Sequence, residues 1–382
     1  MPRPTDREIL ERLVAFDTVS DRPNVPLVDW IADLLDRPGA RITRQPTDDG
    51  AKANLLVEIG PDAGPDRDGL VLCGHTDVVP ATEPDWESDP FRLTERDGTW
   101  VARGAADMKA FLALAIGRMA DADPDRLEHP LALLLTHDEE VGTIGAGRFA
   151  RAFDQPDRLP RRSIVGEPTS LAVVRTHKGH LRIGIEIEGT PAHSAYPHLG
   201  ASAIEPAADA VAALAALRAT LESERPAGAE DFEPVPFVTL NVGRISGGVA
   251  DNVIPDRCAI DVGLRPLPGI SAEDLVERVR AAIGSPLEGV AWSLEVVNQS
   301  PPMALDASAD VHAWLAGEVG QEDSRAVSFA TDAGWLSEIG LDCVVWGPGA
   351  IEVAHKPNEF VPVAEFHRAG EILDRAIDRW CG

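Results

Sequence analysis

Short apolar runs alternate with helix-like stretches along much of this chain, and this alternation constrains the fold more than any other feature. The runs NLLVEIG, LVLCGH, LALLLTH and SIVGE have the length of strands, and helical stretches such as MKAFLALAIGRMA lie between them. Strands that alternate with helices indicate an α/β layer with a largely parallel sheet. We therefore predict an α/β domain built on a mixed, mostly parallel sheet.

A segment of different texture interrupts this pattern from about residue 174. HLRIGIEIEGT alternates with period two, an alanine-rich helix follows, and two strands, a helix and a final strand come after it. The order β-α-β-β-α-β is that of a ferredoxin-like α+β domain. We predict one domain from residues 1–173 and 300–382, and an inserted domain from residues 174–299.

Composition narrows the possible partners and the compartment. The net charge of -28 comes from 63 acidic and 35 basic residues, and it repels phosphate backbones and anionic membrane surfaces. The start MPRPTDREIL lacks the apolar segment of a signal peptide. The four cysteines show no CxxC spacing and are expected to be buried thiols. We expect a cytoplasmic protein that binds neither nucleic acid nor membrane.

Acidic and histidine side chains follow the predicted strands or open the next helix. Functional groups of a parallel sheet gather where strands end, so we expect five of them to meet at one point: His75, Asp107, Glu140, Glu167 and His355. Crowded carboxylates raise one another's pKa unless cations compensate their charge. Two imidazoles and three carboxylates suit a pair of zinc-like ions, with one carboxylate bridging.

The adjacent acids Glu139 and Glu140 divide two roles in this interpretation. Neighbouring side chains of a turning segment point in different directions, and an acid that is also a metal ligand makes a poor proton carrier. We assign Glu140 to a metal ion and Glu139 to general-base catalysis beside the water that the ions activate. Asp77 lies two residues after His75 and is placed to accept the second imidazole N–H and fix the tautomer.

A series of blocks in this chain resembles, in the same order, the signature blocks of the dinuclear zinc deacylase and peptidase family. The blocks cover most of the chain: GHTDVVP, RGAADMKAFLA, THDEEVG, GEPTS, HSAYPHLGASAI, DNVIPDRCAIDVGLRPLPG and GPGAIEVAHKPNEF. The resemblance implies two bound zinc ions, for which cobalt or manganese can substitute. It also implies that the inserted domain is a lid that supplies the contact of a homodimer.

The same resemblance distributes the metal ligands. It implies that His75 and Glu167 hold one ion, that Glu140 and His355 hold the other, and that Asp107 bridges the two. Glu139 is then the general base, as the residues alone suggest.

Within the family, RGAADMKAFLA, THDEEVG, FATDAGW and GPGAIEVAHKPNEF are most similar to acetylornithine deacetylase. This implies hydrolysis of the amide of N2-acetyl-L-ornithine, a step of arginine biosynthesis. However, Asp332 stands where that enzyme usually has glutamate, and AYPH in the inserted domain resembles the succinyl-diaminopimelate desuccinylase. That desuccinylase, another N-acyl amino acid deacylase, a metallocarboxypeptidase and a catalytically silent dimeric binding protein are the alternatives.

The resemblance also indicates residues that contact the substrate. The family places a lid histidine over the oxyanion, often from the partner subunit, and His193 is the candidate; a strand-end histidine bonded to backbone is the alternative. Asn252 and Arg265 follow a glycine-rich turn and a strand. Arginine can clamp a substrate carboxylate with two hydrogen bonds, although Arg265 could equally pair with an acid of this chain. Thr331, in FATDAGW, is a further predicted contact.

Overall fold

The structure is a computed structural model and describes residues 3–382 of the chain. These residues form two compact units. Unit 1 contains the chain up to Thr176 together with Ala304–Arg325 and Thr331–Gly382, and unit 2 contains His177–Met303 and Ala326–Ala330. Unit 2 therefore extends past the predicted boundary at residue 299 and takes a short second segment that the sequence pattern assigned to the other domain.

Helices and strands alternate through both units. The α-helices are α1 (Asp6–Ala15), α2 (Val25–Leu35), α3 (Ala110–Asp121), α4 (Ile144–Ala152), α5 (Ile204–Ser223), α6 (Ala272–Gly284), α7 (Asp310–Val319), α8 (Ala333–Glu338) and α9 (Val363–Trp380). The strands are β1 (Ala40–Pro46), β2 (Ala53–Ile59), β3 (Leu70–His75), β4 (Thr94–Arg96), β5 (Thr99–Val101), β6 (Leu131–Thr136), β7 (Arg162–Val165), β8 (Val174–His177), β9 (His180–Glu188), β10 (Thr239–Gly247), β11 (Arg257–Arg265), β12 (Trp292–Ser300), β13 (Met303–Ala304), β14 (Arg325–Val327), β15 (Asp342–Val345) and β16 (Phe360–Pro362). Within residues 3–382, no helix is both long and apolar enough to cross a membrane.

The main sheet of unit 1 is parallel in its centre and antiparallel at its flanks. Its strands lie in the order β1-β2-β6-β3-β7-β15-β8. β6, β3, β7 and β15 run parallel to one another, whereas β1, β2 and β8 pair antiparallel with their neighbours. The predicted mixed α/β fold is confirmed, and the parallel strands are those that carry the candidate site.

A buried helix supports this sheet from within the core of unit 1. From Ala110 to Ala120, every residue of α3 is buried except Arg118. A helix that is apolar on all sides must be covered on all sides, and α3 packs in one cluster with residues of α1, α2, α9 and the strands. The loop that precedes α3 is thereby held at a fixed place beside the strand ends.

Unit 2 has the predicted ferredoxin-like arrangement. Its four strands form an antiparallel sheet in the order β10-β11-β9-β12, and α5 and α6 connect them. Side chains at alternate positions of β9 point into the core between sheet and helices, as period-two patterning requires. These are Leu181, Ile183, Ile185 and Ile187, which pack with apolar residues of α5 and α6.

Candidate metal centre

The four parallel strands deliver acids and histidines to one edge of the main sheet. His75 is the last residue of β3 and lies opposite Thr136, the last residue of β6. Glu139 and Glu140 follow β6, and Glu167 follows β7 after one glycine. Because parallel strands end at the same edge, strands far apart in sequence bring these side chains together. His355 arrives in the loop after β15.

Close packing against α3 sets the position of Glu167. A Cβ atom on the preceding residue, Gly166, would come within 2.0 Å of the Phe111 ring. Only glycine therefore allows the β7 strand end to approach the buried helix this closely. The turn at Gly166 leads directly into the buried Glu167 side chain.

Asp107 comes from an irregular turn between β5 and α3. The turn Ala105–Lys109 is π-helical in its hydrogen bonding, and Asp107 itself has non-helical torsions of φ -116° and ψ 93°. Gly104 precedes the turn with φ +77°, and a Cβ there would meet Val78 Cγ1 at 2.7 Å. In this turn, the buried Asp107 carboxylate lies next to His75 and His355.

These side chains form two potential ligand groups that share Asp107. One group is His75, Asp107 and Glu167, and the other is Asp107, Glu140 and His355; in each group the ligand atoms all lie within 4.8 Å of one another. His75 Nε2 is 3.0 Å from Asp107 Oδ1. His355 Nε2 is 3.5 Å from Asp107 Oδ2 and 2.9 Å from Glu140 Oε2. The structure thus brings together all five residues that the sequence predicted as ligands.

Burial and crowding give the site strongly shifted proton affinities. Burial and the charge of Asp107 raise the pKa of Glu140 to about 7 and raise the pKa of Glu167 well above its usual range. Hydrogen bonds that the His355 ring donates to the carboxylates of Asp107 and Glu140 raise the pKa of His355 to about 10. Burial lowers the pKa of His75, but the nearby carboxylates outweigh burial and hold it well above its usual range. The site therefore requires positive charge, from protons or from cations.

The donor set fits two divalent ions. His75 Nδ1 lies 3.0 Å from the backbone carbonyl of Asp77, so Nδ1–H donates there and the Nε2 lone pair of the neutral ring faces Asp107. His75 Nε2 and Asp107 Oδ1 are then two acceptors 3.0 Å apart, and such a pair needs a proton or a metal ion between the two atoms. Glu167 Oε1 is buried and has no hydrogen-bond partner among the described residues. Imidazole and carboxylate ligands, with one carboxylate shared, suit zinc-type ions.

The Asp77 carboxylate has contacts that differ from the sequence prediction. Its Oδ1 is 3.7 Å from His75 Nδ1, farther than the carbonyl of the same residue. Instead, the carboxylate accepts the backbone N–H groups of Glu139 (3.1 Å) and Glu140 (3.2 Å) and the Ser20 hydroxyl (2.7 Å). Backbone N–H groups with no other partner in a turn take the acceptor in preference to the ring. Asp77 therefore orients His75 by its carbonyl and holds the Glu139–Glu140 turn by its side chain.

Glu139 differs from its neighbour in its surroundings. Burial and the charge of Glu167 raise the pKa of Glu139 well above its usual range. Glu139 belongs to neither of the two ligand groups. A carboxylate with an elevated pKa beside a metal site is suited to accept and return a proton near neutral pH.

The predicted substrate contacts divide between the units. His193, Asn252 and Arg265 belong to unit 2, and Thr331 belongs to unit 1. The strand-like bridge between His193 and Val253 brings His193 beside the segment that carries Asn252. Thr331 is fully buried, and its hydroxyl oxygen accepts the N–H of Ala333 at the start of α8. The contacts of these four residues with substrate stay predictions.

Sequence reasoning missed the residues that hold the Asp107 turn. Glu359 and Arg103 are both 1% exposed and form an ion pair at 2.8 Å next to that turn. Glu359 lies in the block GPGAIEVAHKPNEF, as an acid directly before the apolar strand β16. An acid directly before an apolar strand indicates a buried carboxylate that needs a hydrogen-bond partner, but the sequence does not show that this partner is Arg103.

A model of the peptidase family M20/M25/M40 matches residues 71–379, which include all five potential ligands. The chain belongs to this family. It is a metal-dependent amidohydrolase of the M20 type.

Curated relatives within the M20 family align with the chain over nearly its full length. The acetylornithine deacetylase of Myxococcus xanthus is 40% identical in an alignment that covers 99% of this chain and 98% of that protein. The acetylornithine deacetylase of Proteus mirabilis is 35% identical in an alignment that covers 99% of this chain and 97% of that protein.

Solved structures share the fold of this M20 chain at low sequence identity. An M20 family metallo-carboxypeptidase from Sulfolobus solfataricus has a TM-score of 0.75 at 16% identity and covers 96% of this chain and 97% of its own. An aminopeptidase from Bacillus cereus has a TM-score of 0.71 at 22% identity and covers 95% of both chains. These likenesses concern the fold.

The proton affinities of the centre predict how the stability of the metal-free protein depends on pH. Glu140 and His355 have folded-state pKa values of about 7 and about 10, above their ordinary values of 4.5 and 6.5. The native state then binds more protons than the unfolded state, so stability falls as pH rises. The contribution of Glu140 is complete below about pH 4.5 and is lost through about pH 7; that of His355 is complete below about pH 6.5 and is lost through about pH 10.

We therefore expect the melting temperature of chelator-treated protein to fall between pH 6 and pH 8. Zinc should raise it more at pH 8 than at pH 6, because metal ions replace the bound protons. Scanning calorimetry at matched ionic strength measures both, and a His355→Ala variant should show a shallower decline. A melting temperature that is constant or rises with pH in the chelated protein would contradict this assignment.

Proposed function

We propose that this protein hydrolyses the amide bond of N2-acetyl-L-ornithine to L-ornithine and acetate, using two zinc ions. The observation that carries the proposal is the pair of ligand groups sharing Asp107, with Glu139 beside them and outside both. Two ions that share one carboxylate ligand would activate water, and an acid beside them that is not a ligand would accept its proton. This arrangement is typical of a hydrolase. Cobalt or manganese can take the place of zinc, since neither imidazole nor carboxylate ligands exclude them.

The choice of substrate rests on the curated relatives. Those compared above are named acetylornithine deacetylase and align from end to end at 35–40% identity. A deacetylase that releases ornithine serves arginine biosynthesis. Asp332, where such enzymes usually have glutamate, is buried and accepts the Thr136 hydroxyl at 2.5 Å. This position therefore stays acidic and anchored to β6 in our proposal, with a side chain one methylene shorter.

In the proposed mechanism, His75 and Glu167 would hold one ion and Glu140 and His355 the other, with Asp107 as the residue shared by both ligand groups. When bound at these residues, divalent ions would supply Lewis-acid polarisation of the amide carbonyl and a lowered pKa of water, so that water loses a proton more easily and becomes a better nucleophile. Asp77 keeps Glu139 and Glu140 in separate orientations through their two backbone N–H groups.

Glu139 moves the proton in this mechanism. It accepts a proton from the attacking water and passes it to the leaving nitrogen, so the amine departs as a stable product. Burial and the charge of Glu167 raise the pKa of Glu139 in the metal-free site, and bound cations would offset the charge of Glu167.

We assign the residues of unit 2 to substrate binding. His193 Nδ1 accepts the N–H of Ala195 at 3.1 Å, so the ring proton of the neutral form lies on Nε2, which is available as a donor to the developing oxyanion. Arg265 and Asn252 bind the substrate carboxylate, for which a guanidinium offers two parallel N–H groups. Thr331 supplies a hydroxyl near the start of α8.

We further propose that the protein is a homodimer through unit 2. Large apolar side chains are exposed there, including Val249 at 82%, Leu199 at 62% and Ile245 at 50%. β10 is the terminal strand of its sheet, and an exposed edge strand with apolar side chains is a surface that proteins normally cover. A second copy of the chain is the proposed occupant.

We place the enzyme in the cytoplasm. All four cysteines, Cys73, Cys258, Cys343 and Cys381, are free and buried. Free thiols without disulfides are typical of a reducing compartment, where amino-acid biosynthesis also takes place.

A substrate panel tests the function directly. We expect kcat/KM to be highest for N2-acetyl-L-ornithine among N-acetyl amino acids, N-succinyl-L,L-diaminopimelate and C-terminal glutamate peptides, all assayed with zinc, cobalt or manganese. Higher kcat/KM for the succinyl substrate would assign the chain to the desuccinylases, and for the peptides to the carboxypeptidases. A metal-loaded protein that turns over none of them would favour the silent binding protein.

Removing the general base should separate chemistry from metal binding. We expect Glu139→Gln to lower kcat by about 10²–10⁴-fold while element analysis still finds both ions. The neighbouring substitution Glu140→Gln is the matched control and should lower metal content instead. Loss of zinc from Glu139→Gln, or near-normal kcat in it, would remove Glu139 from its role.

The oxyanion role of His193 predicts a different signature. We expect His193→Ala to lower kcat by about 10²–10³-fold with full metal content, because the residue is no ligand. The nearby His198→Ala is the control and should keep kcat. Wild-type kcat in His193→Ala would reduce His193 to a strand-end histidine bonded to backbone.

Mixed dimers locate the donor. Subunits carrying Glu139→Ala and His193→Ala, joined in one dimer and purified through two different tags, have one site with both groups if His193 acts across the interface. Activity then returns to as much as half of the wild-type value per dimer. Donation within a subunit leaves both sites incomplete, and the mixed dimer stays inactive.

A further inference from the structure

The Asp107 turn is folded around one buried carboxylate, that of Glu359. Oε1 of Glu359 accepts the backbone N–H groups of Ala106 (2.9 Å) and Asp107 (2.9 Å). Oε2 accepts the backbone N–H of Gly104 (3.0 Å) and Nη1–H of Arg103 (2.8 Å). A concave run of backbone N–H groups around one anion is an anion-binding nest, and here the anion belongs to the same chain.

Both sides of this contact are themselves fixed. The backbone carbonyl of Glu359 accepts the N–H of Ala102 at 3.0 Å, which continues the pairing of β16 with β5. Arg103 also donates to the carbonyl of Pro80 at 3.1 Å and stacks over the Trp86 ring at 5.2 Å. With the backbone of Glu359 and the guanidinium of Arg103 both held in place, the carboxylate has one position in which all four of its donors are satisfied.

The same short segment carries a predicted metal ligand. His355 lies four residues before Glu359 and is 3.5 Å from Asp107 Oδ2. Asp107 is thus held twice by the segment 355–359, at its backbone by Glu359 and at its side chain by His355. A shift of this segment would move the shared carboxylate and one ligand of the second group together.

We propose that Glu359 is a positioning residue of the metal centre. It fixes the position of the Asp107 carboxylate for both ions by binding the backbone N–H groups of the Asp107 turn. This inference rests on the proposed two-metal function. Glu359 belongs to neither ligand group and acts on the centre through Asp107. Groups that orient metal ligands in this way typically change metal affinity or activity by about 10–100-fold when removed.

The test compares two buried glutamates that both pair with arginine. Glu359→Gln keeps the size of the side chain but turns an N–H donor toward the N–H groups of the turn. Glu58→Gln is the matched control. Glu58 lies in β2, is 4% exposed and pairs with Arg41 and Arg158. It belongs to neither ligand group. Both variants lose a buried negative charge, but only the first loses an acceptor oxygen for the backbone N–H groups of the Asp107 turn.

We expect Glu359→Gln to weaken zinc and cobalt binding by about 10–100-fold in titrations against a competing chelator. The cobalt absorption spectrum should change in band position, and kcat should fall more than KM changes. Glu58→Gln should keep wild-type metal affinity and spectrum, even where its melting temperature falls. Metal affinity within twofold of wild type and an unchanged cobalt spectrum in folded Glu359→Gln would overturn the proposal.

A second variant covers a folding failure of the first. Glu359→Asp keeps the charge but is one methylene too short to reach both pairs of N–H groups, and it should show the same changes in metal binding. Wild-type metal affinity in this variant would likewise overturn the inference. Failure of the proposed function has its own signature: the wild-type protein itself would bind fewer than two ions or leave N2-acetyl-L-ornithine intact.

Discussion

The repulsion among buried carboxylates at the ends of the parallel strands governs this structure. Asp107, Glu139, Glu140 and Glu167 converge where little solvent screens them, and such a cluster is stable only with positive charge among its members. The scaffold could have avoided this by spacing the acids apart. Instead, rigid strands and a buried helix hold them close, so cation binding stabilises the folded state and supplies the chemistry at the same time.

Carboxylates that are not potential ligands hold the two turns that carry Asp107 and Glu140. The Asp77 carboxylate binds the N–H groups of the Glu139–Glu140 turn, and the Glu359 carboxylate binds those of the Asp107 turn. In both cases an acid outside the ligand groups captures consecutive N–H groups of an irregular turn. Ligands on irregular backbone gain a defined direction in this way, as metal sites with a fixed coordination geometry require.

In our proposal the two units differ in their chemical tasks, although the proposed substrate contact Thr331 lies in unit 1. Unit 1 holds every potential metal ligand and Glu139, whereas unit 2 holds His193 and Arg265. One fold can serve different substrates, because function follows the site and not the fold. The curated relatives named acetylornithine deacetylase and the solved carboxypeptidase of the same fold illustrate this range.

The sequence by itself determined the fold class, the order of elements and which five side chains come together as potential ligands. Apolar periodicity is a local property, and strand ends of a parallel sheet must meet, so His75, Glu140 and Glu167 could be placed together before any coordinates were known. Only the tertiary structure decided how each group is held. Glu359 and Asp107 are 252 positions apart, and their contact depends on how β16 packs beside the Asp107 turn. The Asp77 carboxylate likewise accepts the backbone N–H groups of Glu139 and Glu140, which no spacing rule identifies. A buried carboxylate binds the donors that folding brings within hydrogen-bond distance.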